Sequence, residues 1–325
     1  MSFKDILHNL PEVKHPVEKK LSFNVKLKWT LIVLVSFFIL ANISLYGLAA
    51  NSLARFEYLA IILGTDFGSI ISLGIGPIVM SSIILQLLVG AGLLNIDTNT
   101  EAGKKFFQGL QKVGVYLFII FEAMVYVLMG GLQASPGLAG IVIFQLILGG
   151  LTVMLMDEVS TKWGFGSGVS LFILAGVSWR LFAGLFQFIG PTGENCLVDF
   201  SNTPCAGKIL VIIQSLINGA PRELMLAVLT IVVTALIFLI VVWAQSLKVE
   251  IPLSYDRMRG FNIKWPLAFF YASNLPVILV AAMFANIQLW ARLLQNAGFP
   301  ILGTFVGNSP ATGLVSIIAA PQLIP

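Results

Sequence analysis

Seven apolar runs, each long enough or nearly long enough to cross a bilayer, constrain this chain more than any other feature. They fall near residues 29–48, 74–90, 113–131, 138–156, 169–189, 224–246 and 267–290. An eighth apolar piece, at about 54–66, is too short to span alone and carries Arg55, Glu57 and Asp66. The composition agrees: 58% of the 325 residues are hydrophobic and 10% charged, where a soluble domain carries roughly a quarter charged. Runs of this length read as helices, which bond every interior backbone group within one segment. The expected class is therefore an all-α polytopic membrane protein.

The basic residues set an orientation. The tail before residue 29 and the segments 91–112, 157–168 and 247–266 hold 14 of the 19 lysines and arginines. The other side keeps Arg55, Lys208, Arg222 and Arg292, and Arg180 falls inside a span. The positive-inside rule then places the N-terminus in the cytoplasm of a multi-pass protein of the cell membrane. This holds only if the 54–66 stub dips in from outside and returns, because counting it as a span reverses every later loop. Residues 1–28 are polar and charged, with no small-residue cleavage pattern after the first apolar run. Phe3, Ile6, Leu7 and Leu10 recur at helical spacing, which fits either a short interfacial helix or a solvated tail.

The second run, "ISLGIGPIVMSSIILQLLVG", has Gly74, Gly76 and Pro77 crowded at one end. Irregular backbone at membrane depth is tolerated only against protein or a water-filled cavity. Ile75 and Val79 share one helical face there. Val169 and Ile173 repeat the spacing after "WGFGSG", and Leu275 and Ile278 flank Pro276. Periodicity alone does not raise such pairs above ordinary packing or lipid-facing residues.

Five stretches, "LGIGPIVMSSIILQLLVG", "FFQGLQK", "DEVSTKWGFGSGVSLFILAGVS", "VEIPLSYDRMRG" and "SNLPVILVAAMFANIQLW", carry a resemblance across almost the whole chain. They resemble the SecY (translocon α-subunit) family of protein-conducting channels. The resemblance implies a SecY-like channel fold of ten spans in two pseudo-symmetric halves, of which seven and one re-entrant plug helix are present here. It divides the chain into a cytoplasmic tail (1–28), an N-terminal half of five spans (29–189) and an external loop (190–223). An incomplete second half follows, with two spans and an external segment (224–325). The apolar ending "GLVSIIAAPQLIP", with no polar tail after it, matches the expectation of a missing C-terminal portion.

Site residues follow from the same resemblance. The plug corresponds to about Ala54–Ser69, including Arg55, Phe56, Glu57, Tyr58, Ile62 and Asp66. A ring of apolar side chains at the constriction corresponds to Ile75, Val79, Val169, Ile173 and Ile278, with a sixth contribution from the family's tenth span. Branched apolar side chains bind no ion, disfavour water in a narrow neck and deform around a passing chain. A lateral gate between the second and seventh spans corresponds to Gln86 and Leu275, with a polar cluster of Glu122 and Asn286. A lone carboxylate in mid-span is costly, so Glu122 is expected either protonated or partnered. Where the family cluster has a hydroxyl, this chain has Met80, so the hydroxyl comes from Ser81 or Ser82 or is missing. In "KVEIPLSYDRMRGFNIK", Arg257 and Arg259 correspond to phosphate contacts for a ribosome or a cytosolic motor. A SecE-type γ subunit, a small β subunit, signal peptides, nascent polypeptides and the lipid bilayer are the other implied partners.

Some chemistry is not expected. "WGFGSG" lacks the Lys-Ser/Thr ending and preceding strand of a phosphate-binding loop; its glycines suit a tight turn, with Ser167 available to cap the fifth span. Energy for transport would come from partners. His8 and His15 lie in the tail, and no metal site, cofactor site or catalytic constellation is expected. Cys196 and Cys205, the only cysteines, fall in the external segment, as a disulfide or as two free thiols. The alternative to a passive channel is an ion-coupled secondary transporter with discontinuous helices. Its embedded polar residues would line a substrate site, whereas here the candidate cavity walls are Ile and Val. Crosslinking inside the pore, to a nascent polypeptide or to a small solute, discriminates the two.

Overall fold

The computed structural model describes residues 11–18, 21–51, 66–97, 100–190, 194–198, 200, 203–253, 263–268, 274–296, 298–306 and 309–318. Nine helices form within them: α1 (Phe23–Ala41), α2 (Gly76–Gly90), α3 (Glu101–Leu128), α4 (Ala139–Trp163), α5 (Gly168–Phe186), α6 (Lys208–Ile217), α7 (Pro221–Ser246), α8 (Asn274–Asn296) and α9 (Leu314–Ile318). Three small antiparallel pairs accompany them: β1 (Leu48–Asn51) with β2 (Leu132–Ala134), β3 (Lys248–Leu253) with β4 (Ile263–Ala268), and β5 (Thr304–Val306) with β6 (Ser309–Thr312). Helices α1, α3, α4, α5 and α7 are long and apolar enough to cross a membrane. At 15 residues α2 reaches only about 22 Å, short of a ~30 Å hydrocarbon core.

The helices depart from the apolar runs where capping chemistry intervenes. The first run was expected to continue to residue 48, but α1 stops at Ala41. Asn42 donates its side-chain amide to the Phe38 carbonyl at 2.8 Å and ends the helix, and Leu48 begins strand β1 instead. The third run was expected from residue 113, yet α3 begins at Glu101. Thr100 accepts the Gly103 amide at 3.2 Å, and Glu101 lies favourably in the first turn. Polar residues 101–112 are thus helical because they are capped, not because they are apolar. The seventh run was expected from residue 267, but residues 263–268 belong to β4 and the helix starts at Asn274.

By contact the chain forms two compact units, residues 1–176 with 277–325, and residues 177–276. In the first, α3 packs against both α2 and α4, and α4 also packs on α1. Its apolar core joins Val33 and Phe37 of α1, Ile78 and Val79 of α2, Val115 and Ile119 of α3, Val142 and Leu146 of α4, Phe172 of α5 and Leu289 of α8. Phe37 stacks on Phe172 with ring centroids 4.9 Å apart. A side chain at Gly149 of α4 would collide with the Ile70 carbonyl, so a small residue there lets the turn before α2 close onto α4.

In the second unit, α6 packs on α7 through a short Asn218–Ala220 turn, and a disulfide joins Cys196 to Cys205. Gln214 of α6 fastens that loop. It donates to the Phe200 and Thr203 carbonyls at 2.8 Å each and accepts the Cys205 amide at 3.2 Å. The basic segment 247–266, expected as a loop, is framed by the β3–β4 hairpin, paired from Lys248↔Ala268 to Leu253↔Ile263.

Candidate functional site

The break in the second run is a chain of turns over residues 70–75 leading into α2. Gly74 adopts φ +55°, a conformation that residues with a Cβ rarely take, and its amide donates to the Ile71 carbonyl at 2.8 Å. Pro77 stands in the first turn of α2, where its missing N–H leaves no bond unmade. Ile71, Leu73 and Ile75 are fully buried, so protein encloses this irregular backbone.

Just before it, residues 66–72 are tightly bonded. The Ser69 hydroxyl donates to the Asp66 carbonyl at 2.7 Å, and the Ser72 hydroxyl accepts the Gly68 amide at 2.8 Å. The Leu45 amide donates to the Gly68 carbonyl at 2.9 Å, and the Ile70 amide to the Ile43 carbonyl at 3.0 Å, tying the segment to the end of α1. Phe67 is buried edge-on against Tyr126 of α3, with centroids 6.4 Å apart. Of the expected plug residues, Asp66 and Ser69 lie in this fixed segment. Ala54, Arg55, Phe56, Glu57, Tyr58 and Ile62 lie outside the described residues.

Four expected ring positions belong to the same apolar core. Ile75, Val79 and Val169 are buried members of one apolar cluster, and the half-buried Ile173 packs against it. Ile278 falls within α8, but its side chain is outside the described residues, as is that of Leu275.

The polar groups meet at the start of α2. Glu122 of α3 and Asn286 of α8 are both fully buried and face the same backbone position, Gly76. A methyl there would lie 3.0 Å from Glu122 Oε2, 3.0 Å from Asn286 Nδ2 and 3.3 Å from Asn286 Oδ1. Among the described residues, neither side chain has a hydrogen-bond partner, nor do the Tyr126 hydroxyl and the Trp290 indole N–H. Tyr126 and Trp290 each stand one helical turn beyond Glu122 and Asn286, on the same faces.

The two serines do not join this group, so of the two expected alternatives the structure has the one in which the hydroxyl is missing. Ser81 donates to the Gln111 carbonyl at 2.7 Å, and Ser82 accepts from the Gln86 side chain at 3.0 Å. The reason is helical phase: Met80, four residues after Gly76, stays near its face, while Ser81 and Ser82 are turned away from it to either side, by about 140° and about 120°.

Comparison with known proteins bears on this arrangement. The family model for SecY matches residues 69–322. The protein translocase subunit SecY of Methanothermobacter thermautotrophicus is 43% identical over 327 residues, covering 99% of this chain and 70% of that protein. The chain belongs to the SecY family. Two solved SecY-type structures agree with it in fold. Sec61 from a canine ribosome-channel complex of the endoplasmic reticulum matches with TM-score 0.79 and 40% identity, covering 97% of this chain and 69% of that one. A SecY structure described by its plug domain, said to stabilise the closed state and maintain a membrane seal, matches with TM-score 0.78 and 39% identity, covering 97% and 68%.

In this SecY-family chain a further polar site went unforeseen, where the tail meets the end of α4. The Val13 amide donates to Glu158 Oε2 at 3.0 Å, Lys162 Nζ donates to the Val13 carbonyl at 2.7 Å, and the Trp163 indole donates to the Lys14 carbonyl at 2.9 Å. Lys162 pairs with Glu12, and Lys112 of α3 with Glu158. The hydrogen bond from Lys162 holds the Glu12 carboxyl below its ordinary value, against a smaller opposing effect of burial. Only the spacing of Glu158 and Lys162, one turn apart, hinted at this in the sequence. The fifth span is capped differently from expectation: Asp157, not the Ser167 side chain, accepts the Val169 amide at 3.0 Å. Arg257 and Arg259 lie between β3 and β4, outside the described residues.

Proposed function

We propose that this chain is the central pore-forming subunit of a Sec translocon, passing unfolded polypeptides across the membrane and releasing transmembrane segments sideways. The observation that carries this reading is the convergence at the start of α2. Ile75 and Val79 share one buried apolar cluster with Val169, and Ile173 packs against it, while Glu122 and Asn286 close on Gly76 from two other helices. An apolar constriction of this composition, joined by Ile278 as a fifth position, excludes water at rest and yields around a passing chain without gripping it. The plug is assigned to residues 54–69, of which Asp66 and Ser69 are held by the bonds of the Asp66–Ser72 segment.

Helices α2 and α8 form the lateral gate, with Gln86, Leu275, Glu122 and Asn286 along it. The N-terminus is cytoplasmic, five spans form the first pseudo-symmetric half, and α7 and α8 open the second. The β3–β4 hairpin presents Arg257 and Arg259 to ribosomal phosphates or a cytosolic motor. A SecE-type γ subunit and a small β subunit are the membrane partners. The family likeness to a ribosome-bound channel supports the ribosome as a partner.

The test is photo-crosslinking in the assembled complex with a stalled secretory chain. A crosslinker at Val79 should capture the translocating polypeptide, and one at Gln86 the signal peptide. Capture of lipid alone at both positions would overturn the proposal.

A further inference from the structure

Gly76 of α2 lies against polar side chains of two other helices, Glu122 of α3 and Asn286 of α8. It is the first residue of α2 and is buried, with the Glu122 carboxyl and the Asn286 carboxamide both close to it. A Cβ at this position would lie 3.0 Å from an atom of each, some tenths of an ångström inside ordinary contact. Both side chains are fully buried, so the few tenths of an ångström that a Cβ demands must be taken up within the packed interior. The backbone does not explain the glycine, because Gly76 is not among the positive-φ glycines and is helical.

We infer that Gly76 is a positioning residue for the gate: the absence of a side chain there sets the spacing at which α2 and α8 close. This rests on the reading of α2 and α8 as a lateral gate. Any Cβ at position 76 wedges the Glu122 and Asn286 side chains apart. The arrangement of this structure, in which both lie close to this point, suffers; one in which α8 has moved off does not.

The sign of the effect separates this from a helix-propensity role. Alanine is a better helix residue than glycine, so on propensity alone Gly76→Ala gives a more stable protein with unchanged gating. On the spacing account it gives a channel that opens too readily. In the full complex, Gly76→Ala should raise export of a reporter with a defective signal peptide about tenfold, the size expected for overpacking a buried site. Export with an intact signal peptide should change little. Shortening the opposing side chain should relieve the wedge, so Gly76→Ala with Asn286→Ser should behave as Asn286→Ser alone.

Export unchanged in Gly76→Ala, or effects of the two substitutions that simply add, would overturn the inference. If Gly76→Ala fails to accumulate, recovery of accumulation in the double variant supports it, and no recovery overturns it. A Gln86 crosslinker in the otherwise unaltered channel keeps the two proposals apart. Capture of signal peptide there together with unchanged Gly76→Ala export removes only the spacing role; capture of lipid alone removes the gate and the spacing role together.

Discussion

Asp157 sits two turns before the end of α4, and its carboxylate accepts the Val169 amide at the start of α5. One side chain thus joins consecutive helices across the Trp163–Ser167 turn and satisfies an amide that the helix itself leaves unbonded. Asp157→Ala should cost about 1 kcal/mol of stability, the usual worth of such a cap, while Asp157→Asn keeps an acceptor and costs less. Thermal unfolding in detergent checks this, and equal midpoints for Asp157→Ala and the unaltered protein would remove the cap. Ser167 had the better local position, so a reading along the chain chose it. Asp157 is twelve residues from its partner, and only the folded turn brings them together. The polar groups around Gly76 divide in the same way. Glu122 stood out as a carboxyl in an apolar run, but that Asn286 shares Gly76 with it, and that Ser81 turns instead to Gln111, depends on the angular phase of three helices.

Among the elements, the apolar runs located the spans well and their ends poorly. Thr100 and Asn42 decide two of those ends by hydrogen bonds that hydropathy does not register. The β3–β4 hairpin was legible in principle, since "KVEIPL" alternates polar and apolar residues with the period of a strand. Its partner strand includes Pro266 and follows a basic stretch, which masked the pairing. The tail segment 11–18 was not legible, because backbone groups of Val13 and Lys14 supply much of its attachment to α4. Its charged component should titrate. The Glu12 pKa is depressed from 4.5, so its contribution to docking is complete above that value and lost as pH falls through the lower, folded value. Limited proteolysis at the tail should therefore quicken on acidification in the unaltered protein. In Glu12→Gln it should be quicker at neutral pH and lack that Glu12-dependent step. The same acid response in both would exclude Glu12 as the titrating group.

For the molecule as a whole, the proposed channel function requires that the neck stay dry at rest. Asparagine at Ile75 and Val79 would place hydrogen-bonding groups in the apolar cluster and favour water there. The Ile75→Asn/Val79→Asn channel should show a several-fold higher resting ion conductance in planar bilayers. Unchanged conductance would count against the ring. The membrane class, the number of apolar segments and the uneven distribution of basic residues between them were determined by the sequence alone, because each is a sum over many residues that no single contact can reverse. Where α1 and α3 end, which acceptor caps α5, how the tail is held and which side chains face Gly76 were decided only by tertiary structure. Those outcomes turn on helical phase and on hydrogen bonds between residues far apart in the chain, where a rotation of one residue, about 100°, moves a side chain from one neighbour to another.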